Sequence, residues 1–246
     1  MSLRARRRGR PSLMRAQPPN PARLAGPLAD EAPAGPPPVF GADFLDDLDA
    51  LFHWRRDVRH FRRDALEPGA LDALLCLAVR APSVGLSQPW RFVRVSVPAR
   101  RAAVRSIFEA CNADALSLQP GERAGLYARL KLAGLDEAPE HLAVFVEPEP
   151  EAGHGLGRAT MPESVAYSAV MAIHTLWLAA AARGLGVGWV SILDPQAVNA
   201  VLEVPESWRL VGYLCIGYPA APSDVPELER AGWEHRRPVA DFLTER

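Results

Sequence analysis

Apolar residues recur at helical spacing from Asp43 to Trp54, where Phe44, Leu45, Leu48, Leu51 and Phe52 make one stripe. Pro68 to Val79 predicts a second helix, ended by Ala81-Pro82. Arg91 to Val97 alternates and is rich in β-branched residues, the pattern of a strand. Ala99 to Leu116 and Gly121 to Leu132 predict helices, and His141 to Glu147 a short apolar strand that the loop from Pro148 to Gly157 stops. The longest helix is predicted to open at a capping box, Thr160-Met161-Pro162-Glu163, to run to Arg183 and to stop at Gly184. Between Glu163 and Arg183 the segment is apolar nearly all round, as in a core, an interface or a membrane. Tyr167, Ser168, His174, Thr175 and many alanines make it too polar for hydrocarbon, which favours a helix buried between subunits.

Val187 to Leu193 and Leu210 to Tyr218 predict strands covered on both faces. Asp194-Pro195 between them supplies an N-cap and a first-turn proline for a short helix ending at Leu202. Helices with scattered strands and no regular βαβ alternation point to an α+β fold. Residues 41–246 read as one continuous domain. Residues 1–40 differ: seven arginines fall between Arg4 and Arg23, followed by repeated proline, alanine and glycine. Such a stretch cannot offset its ordering entropy by burial, so a disordered tail is expected, or initiation near Met14. The arginines precede no apolar segment of the kind a secretory signal needs.

Composition narrows the function classes. A chain of 246 residues with net charge −1 gives no electrostatic case for nucleic acid as the main partner. Cys76, Cys111 and Cys215 are odd in number and contain no C-x-x-C pair, which argues against a disulfide framework or structural zinc and fits a reducing cytoplasm. The six histidines show no metal-ligand spacing. Gly153-x-Gly155-x-Gly157 and Gly184-x-Gly186-x-Gly188 are not G-x-G-x-x-G, and neither joins a strand to an opening helix. Helix termination and close backbone approach explain the second cluster better.

The chemistry concentrates in Arg55-Arg56-Asp57-Val58-Arg59. Guanidinium groups are rigid forks of donors suited to phosphate and to carbonyl or ring-nitrogen edges, so this cluster suggests an anionic, heterocyclic ligand. For an isolated R-R-x-x-R a solvated, salt-bridged turn is the better expectation. The downstream loop Ala81-Pro82-Ser83-Val84-Gly85-Leu86-Ser87-Gln88-Pro89-Trp90 changes that balance, because it adds hydroxyl and amide donors on a rigid wall entering a strand.

The ordered motifs R-R-D-V-R-x-F, A-P-S-V-G-x-S-Q-P-W-R-F, L-K-L-x-G-L, G-R-x-T-M-P-E, Y-S-x-V-x-A-I-x-x-L-W-L-A-A, G-L-G-x-G-W-V-S-I-L-D-P and G-Y-L-C-I-G-Y-P span roughly residues 43 to 240. Together they resemble the 5,6-dimethylbenzimidazole synthase family, a branch of the flavin-dependent nitroreductase fold. Typical nitroreductases usually carry serine where this chain has Asp57. Both Asp57 and Gly188-Trp189-Val190-Ser191-Ile192 resemble the synthase branch.

The resemblance implies a central, mostly antiparallel sheet flanked by helices, and an intertwined homodimer with FMN at its interface. It implies a phosphate ligand in Arg55, contacts to the ribityl chain and pyrimidine edge from Arg56 and Arg59, and Val58 within the same flavin-binding segment. Ser83 and Gln88 resemble the loop lining the flavin. Arg236 resembles a C-terminal phosphate ligand, with Arg237 a close competitor, and Asn112 is a further candidate. Met161-Pro162-Glu163 resembles a lid-side segment.

The implied reaction consumes reduced FMN with dioxygen and yields 5,6-dimethylbenzimidazole, the lower base of cobalamin, and erythrose 4-phosphate. Asp57 and Ser191 match the family's functional aspartate and serine. Asp57 would take or steer a proton from the ribityl carbon nearest the ring, and Ser191 would hydrogen-bond the reacting oxygen or the products. A separate flavin reductase or other source of reduced FMN is implied as a partner. The alternative is an FMN-dependent NAD(P)H oxidoreductase of the nitroreductase type, with the same arginines and a retained flavin; a flavin-binding module without catalysis is the third possibility.

Overall fold

The computed structural model describes residues 35–118, 121–127 and 133–246. Residues 1–34, most of the arginine- and proline-rich stretch, and 128–132, the end of an expected helix, lie outside the described residues. Residues 35–41 are exposed and belong to neither helix nor strand.

Among the described residues four strands form one sheet: β1 (Trp90–Arg94), β2 (Glu140–Val146), β3 (Gly186–Val190) and β4 (Arg209–Gly217). Their order is β1-β2-β4-β3, and every neighbouring pair is antiparallel. The helices are α1 (Ala42–Trp54), α2 (Ala70–Ala78), α3 (Pro98–Ser117), α4 (Gly121–Tyr127), α5 (Gly134–Glu137), α6 (Ser164–Ala181), α7 (Pro195–Leu202) and α8 (Glu227–Arg230). An antiparallel sheet thus lies between helical layers, an arrangement of the α+β class.

Period-two alternation along the central strands builds two cores. Ala143, Phe145, Tyr213 and Cys215 pack with Val104 of α3 and with Val198 and Leu202 of α7. Leu142, Val144, Leu214 and Ile216 pack with Leu71 and Leu74 of α2 and with Ile173, Leu176 and Ala180 of α6. Coverage on both faces is why β2 and β4 read as continuous apolar runs. Each fully buried Leu, Ile or Phe here contributes roughly 1.5–3 kcal/mol by removal from water.

The element boundaries refine the sequence reading in places. β1 ends at Arg94 rather than Val97, because the chain turns away so that Val97 can precede Pro98 at the first position of α3. The Asp194 side chain accepts from the backbone N–H groups of Gln196 at 2.8 Å and Ala197 at 3.2 Å, the expected N-cap of α7. α5 had no counterpart in the sequence pattern.

α6 departs more. It starts at Ser164, and the capping box does not form. Thr160 instead donates through Oγ1 to the Gly157 carbonyl at 3.3 Å, and Glu163 makes no side-chain cap bond, because turns occupy the chain up to residue 163. At its other end Gly184 adopts φ 72°, and Leu185 N–H donates to the Ala180 carbonyl at 2.9 Å. That is the glycine-terminated closure expected of the sequence, displaced only in where the helix proper ends. α6 is long and apolar enough to span a membrane by length and composition. Its Val165, Ala169, Ala172, Ile173, Leu176 and Ala180 are buried within the chain, while Tyr167, Val170, Met171 and His174 form an exposed face.

Candidate active site

The site begins where α1 ends. Arg55 leaves the helix with ψ 129°, while its N–H still donates to the Leu51 carbonyl at 2.9 Å. β3 is an edge strand, so alternate backbone groups on its outer side need partners. Residues 57–62 supply them as an extended strap. Asp57 pairs with Val187 in parallel sense, and Val58 N–H donates to the Val187 carbonyl at 3.0 Å. Farther along, Ala220 N–H donates to the His60 carbonyl at 3.0 Å, and Arg62 N–H donates to the Tyr218 carbonyl at 2.8 Å. Phe61, 4% exposed, pins the strap into the core, and its N–H donates to Glu137 at 2.9 Å.

The strap lies so close to β3 that only glycine fits beneath it. A Cβ at Gly186 would sit 2.7 Å from Val58 Cγ2, and one at Gly188 would overlap the Val58 carbonyl oxygen. The glycine cluster therefore serves helix termination at Gly184 and close backbone approach at Gly186 and Gly188, as its spacing suggested.

A cleft of about 750 Å³ opens over this strap. Arg55, Arg56, Asp57, Val58 and Arg59 all line it, with Trp54 and Leu51 of α1, Trp177 of α6, the loop Pro219–Ser223, and Glu227 and Arg230 of α8. Its volume falls in the range of roughly 300–1,000 Å³ typical of small-molecule and cofactor sites.

Asp57 is clamped at both oxygens. Oδ1 accepts from the Trp189 N–H at 3.0 Å, and Oδ2 lies 3.6 Å from Arg59 Nε. Removal from water pushes the Asp57 pKa up, and the charge of Glu227 adds to the rise. The Trp189 N–H and the Arg59 charge oppose the shift without cancelling it. The side chain keeps 40% of its surface open, so it can still reach a molecule in the cleft. This is a fixed carboxylate with enhanced proton affinity, suited to moving a proton.

The neighbouring arginines make the cleft an anion and heteroatom site. Burial, then the positive charges of Arg236 and Arg55, pull the Arg56 pKa down. Arg56 Nε is buried and finds no hydrogen-bond partner among the described residues. A buried guanidinium N–H without a partner is expensive and fits a ligand acceptor. The Trp177 indole N–H donates to the Arg56 carbonyl at 3.0 Å, and the Arg55 guanidinium lies 5.5 Å from the centre of the Trp177 ring. Guanidinium forks, an unsatisfied donor and a volume of this size suit a phosphorylated, heterocyclic ligand such as FMN.

The remaining candidates sit elsewhere in the single chain. Ser191 is exposed, two residues beyond Trp189 and just past the end of β3. Arg236 is exposed in the C-terminal segment, close enough to Arg56 to influence its charge, whereas Arg237 pairs with Asp241 at 3.0 Å. Asn112 is on α3, half-buried. Ser83 and Gln88 flank a 3₁₀ turn that rests on the N-terminal half of α6, where Val84 N–H donates to Ser168 Oγ at 3.0 Å. None of these six lines the cleft. Met161-Pro162-Glu163 precedes that same end of α6. Among the described residues no group of three or more His, Cys, Asp or Glu is arranged to hold a metal, and all three cysteines are free.

Sequence reasoning missed Trp177, Glu227, Arg230 and the Pro219–Ser223 wall. In a nearly uncharged helix a tryptophan reads as core; the only hint was an indole N–H that needs an acceptor when buried.

The Nitroreductase family profile matches residues 53–218. A protein of Rhodospirillum rubrum named 5,6-dimethylbenzimidazole synthase is 62% identical over 201 residues, covering 82% of this chain and 95% of the relative. One of Rhodobacter capsulatus with the same name is 52% identical over 194 residues, covering 79% and 94%. Among solved structures, oxidized iodotyrosine deiodinase bound to FMN and 3-iodo-L-tyrosine superposes with a TM-score of 0.61 at 26% identity, covering 72% of this chain and 91% of that one. With its fold, its strap of arginines and these relatives, the chain belongs to the nitroreductase family, on the branch of the 5,6-dimethylbenzimidazole synthases.

Proposed function

We propose that this protein binds reduced FMN in the cleft over residues 55–59 and, with dioxygen, breaks it into 5,6-dimethylbenzimidazole and erythrose 4-phosphate, the pyrimidine portion of the ring leaving as a separate fragment. The observation that carries the reading is the doubly held carboxylate of Asp57 inside an arginine-lined cleft. Relatives 62% and 52% identical over nearly their whole length bear the name of that activity.

Arg55, with Arg236, would hold the phosphate, and Arg56 and Arg59 the ribityl chain and the pyrimidine edge. The orphaned Arg56 Nε supports an acceptor at its position. Reduced FMN supplies the electrons for dioxygen and the ring atoms of the product. Asp57, with its raised proton affinity, takes the proton from the ribityl carbon nearest the ring, and Arg59 steadies the carboxylate while it does so. Trp189 N–H fixes the direction in which Asp57 points. Ser191, just past the end of β3 and outside the cleft lining of the single chain, would supply a hydroxyl donor for oxygen or products.

The homodimer belongs to the same proposal. Ser168, against which the Ser83–Gln88 loop rests, and Ala181, beside the cleft, are thirteen residues apart on α6, or about 20 Å. One chain does not bring the loop to its own cleft. Two copies joined antiparallel along the exposed Tyr167, Val170 and Met171 face would place each loop near the other copy's cleft. A flavin reductase, or another source of reduced flavin, is required upstream, and the free cysteines fit a cytoplasmic protein.

The test is a single turnover. Reduced FMN is bound without oxygen, oxygen is admitted, and the products are separated. Benzimidazole in amounts comparable to the enzyme-bound flavin is expected. Full recovery of oxidised FMN with peroxide alone would reject the proposal. Steady NAD(P)H oxidation by the purified protein, with its flavin intact, would favour an ordinary nitroreductase.

A further inference from the structure

We infer that Trp177 is a positioning residue that sets the phosphate grip of the cleft by aligning Arg55. The inference rests on the reading of the cleft as an FMN site.

Three observations converge on one side chain. The Trp177 indole N–H donates to the Arg56 carbonyl at 3.0 Å, which fixes the peptide leading into Asp57. Its ring lies 5.5 Å from the Arg55 guanidinium carbon, within cation–π distance. Its ring centre is also 6.3 Å from that of Trp189, whose backbone N–H holds Asp57. A single indole thus contacts the segment carrying the cluster through two different parts of its surface. Arg55 has just left α1, to which its N–H still bonds at the Leu51 carbonyl. Trp177 comes instead from α6, a helix anchored in the core by Ile173, Leu176 and Ala180. The strap is therefore referenced to the core through the tryptophan.

The physical consequence is selective. An arginine held over an aromatic face loses less rotamer freedom when it meets an anion, so pre-alignment raises affinity for the ligand that carries that anion. A flavin lacking the phosphate gains nothing from it. Trp177 therefore contributes to the preference for FMN over riboflavin more than to flavin binding in general. That separates a positioning role from plain packing, which would weaken both ligands alike.

The test uses the full-length protein and two oxidised probes, FMN and riboflavin, with dissociation constants read from quenching of flavin fluorescence. Trp177→Phe keeps a ring beneath Arg55 but removes the N–H donor; Trp177→Leu removes both. The expected result is a FMN-to-riboflavin preference reduced about tenfold in Trp177→Leu and less in Trp177→Phe, with riboflavin affinity within twofold of the parent. In an Arg55→Gln background, Trp177→Leu should shift the preference little further, because the effect passes through Arg55. Equal weakening of both flavins, an unchanged preference, or full additivity with Arg55→Gln overturns the inference. Should Trp177→Leu fail to fold, Trp177→Phe alone decides, since an unchanged preference there together with additivity rejects the role. The parent protein tests the underlying reading separately. If it binds FMN no better than riboflavin, the phosphate assignment fails before Trp177 is considered.

Discussion

The backbone N–H of Trp189 donates to Oδ1 of Asp57 at 3.0 Å, joining residues 132 positions apart in the chain. A carboxylate held at one oxygen by a strand edge and at the other by Arg59 has little freedom to turn away from the cleft. Replacement by asparagine preserves an oxygen that can accept from Trp189 and removes the proton acceptor. Asp57→Asn should keep FMN affinity within a few-fold and lower benzimidazole formation by ~10²–10⁴-fold. Flavin titration and product analysis on the same preparation check both halves; unchanged yield with FMN bound would remove Asp57 from the chemistry.

The pH profile gives an independent reading of the same group. Burial raises the Asp57 pKa above the ordinary aspartate value of 3.8. A base must be deprotonated to act, so product formation should fall as pH drops through that raised pKa. The acid limb of the single-turnover rate is expected above the usual aspartate range, and absent in Asp57→Asn. A limb at or below 3.8, or one that persists in the asparagine variant, would assign the titration to another group.

The glycines under the strap make unequal demands. A Cβ at Gly186 meets Val58 Cγ2 at 2.7 Å, which a change of rotamer moves, leaving the narrower contacts with Val58 Cβ at 3.0 Å and Pro219 Cγ at 3.1 Å to be met by small shifts. A Cβ at Gly188 meets the Val58 backbone, which cannot rotate away. Gly188→Ala should therefore cost roughly 1–3 kcal/mol and lose flavin affinity as the strap lifts, with Gly186→Ala the milder variant. Denaturant midpoints and FMN titrations of the two proteins would show it; equal costs would mean that the strap yields as a body.

The sequence displayed some of this site and concealed the rest, for physical reasons. Arg55 to Arg59 were visible because charged forks are rare so close together, and Gly186 and Gly188 because a glycine repeat entering a strand signals close approach. The α+β class and the N-cap at Asp194 followed from local periodicity and proline placement. The partnership of Asp57 with Trp189 was not legible, since pairing between a strap and a distant edge strand leaves no local pattern. Trp177 was hidden by its setting in an apolar helix. The capping box at Thr160 failed because the turns before it left Thr160 bonded to Gly157. The clustering of Ser83 and Gln88 with the arginines did not appear within one chain, because the length of α6 separates their loop from the cleft.

A buried histidine away from the site contributes to the loss of stability in acid. His141 is 1% exposed, and its Nδ1 lies 2.9 Å from the Tyr213 hydroxyl. Burial, and then the charge of Arg101, lower its pKa from 6.5 to about 4. Between those values the unfolded chain binds a proton that the folded chain refuses, so stability is full above about pH 6.5 and declines as pH falls toward 4. The loss from this group approaches roughly 3 kcal/mol. Urea unfolding across that window should show the decline, and His141→Gln should flatten it. Tyr213→Phe should cost about 1–3 kcal/mol at neutral pH by stranding Nδ1.

The exposed stripe of α6 bears on the dimer. Met171 is 44% exposed in the single chain. If a second copy covers it, Met171→Glu should shift the protein to monomer in light scattering and weaken FMN binding at least tenfold, because the partner's Ser83–Gln88 loop is withdrawn. A monomeric parent, or a monomeric variant with unchanged affinity, would separate the cleft from any partner.

The most direct measurement of flavin destruction is the fate of the yellow absorbance after oxygen meets one equivalent of enzyme-bound reduced FMN. The expected result is incomplete return of that absorbance, with the missing flavin matched mole for mole by 5,6-dimethylbenzimidazole, and complete return in Asp57→Asn. Quantitative return of oxidised FMN in the parent protein, with no benzimidazole formed, would contradict it.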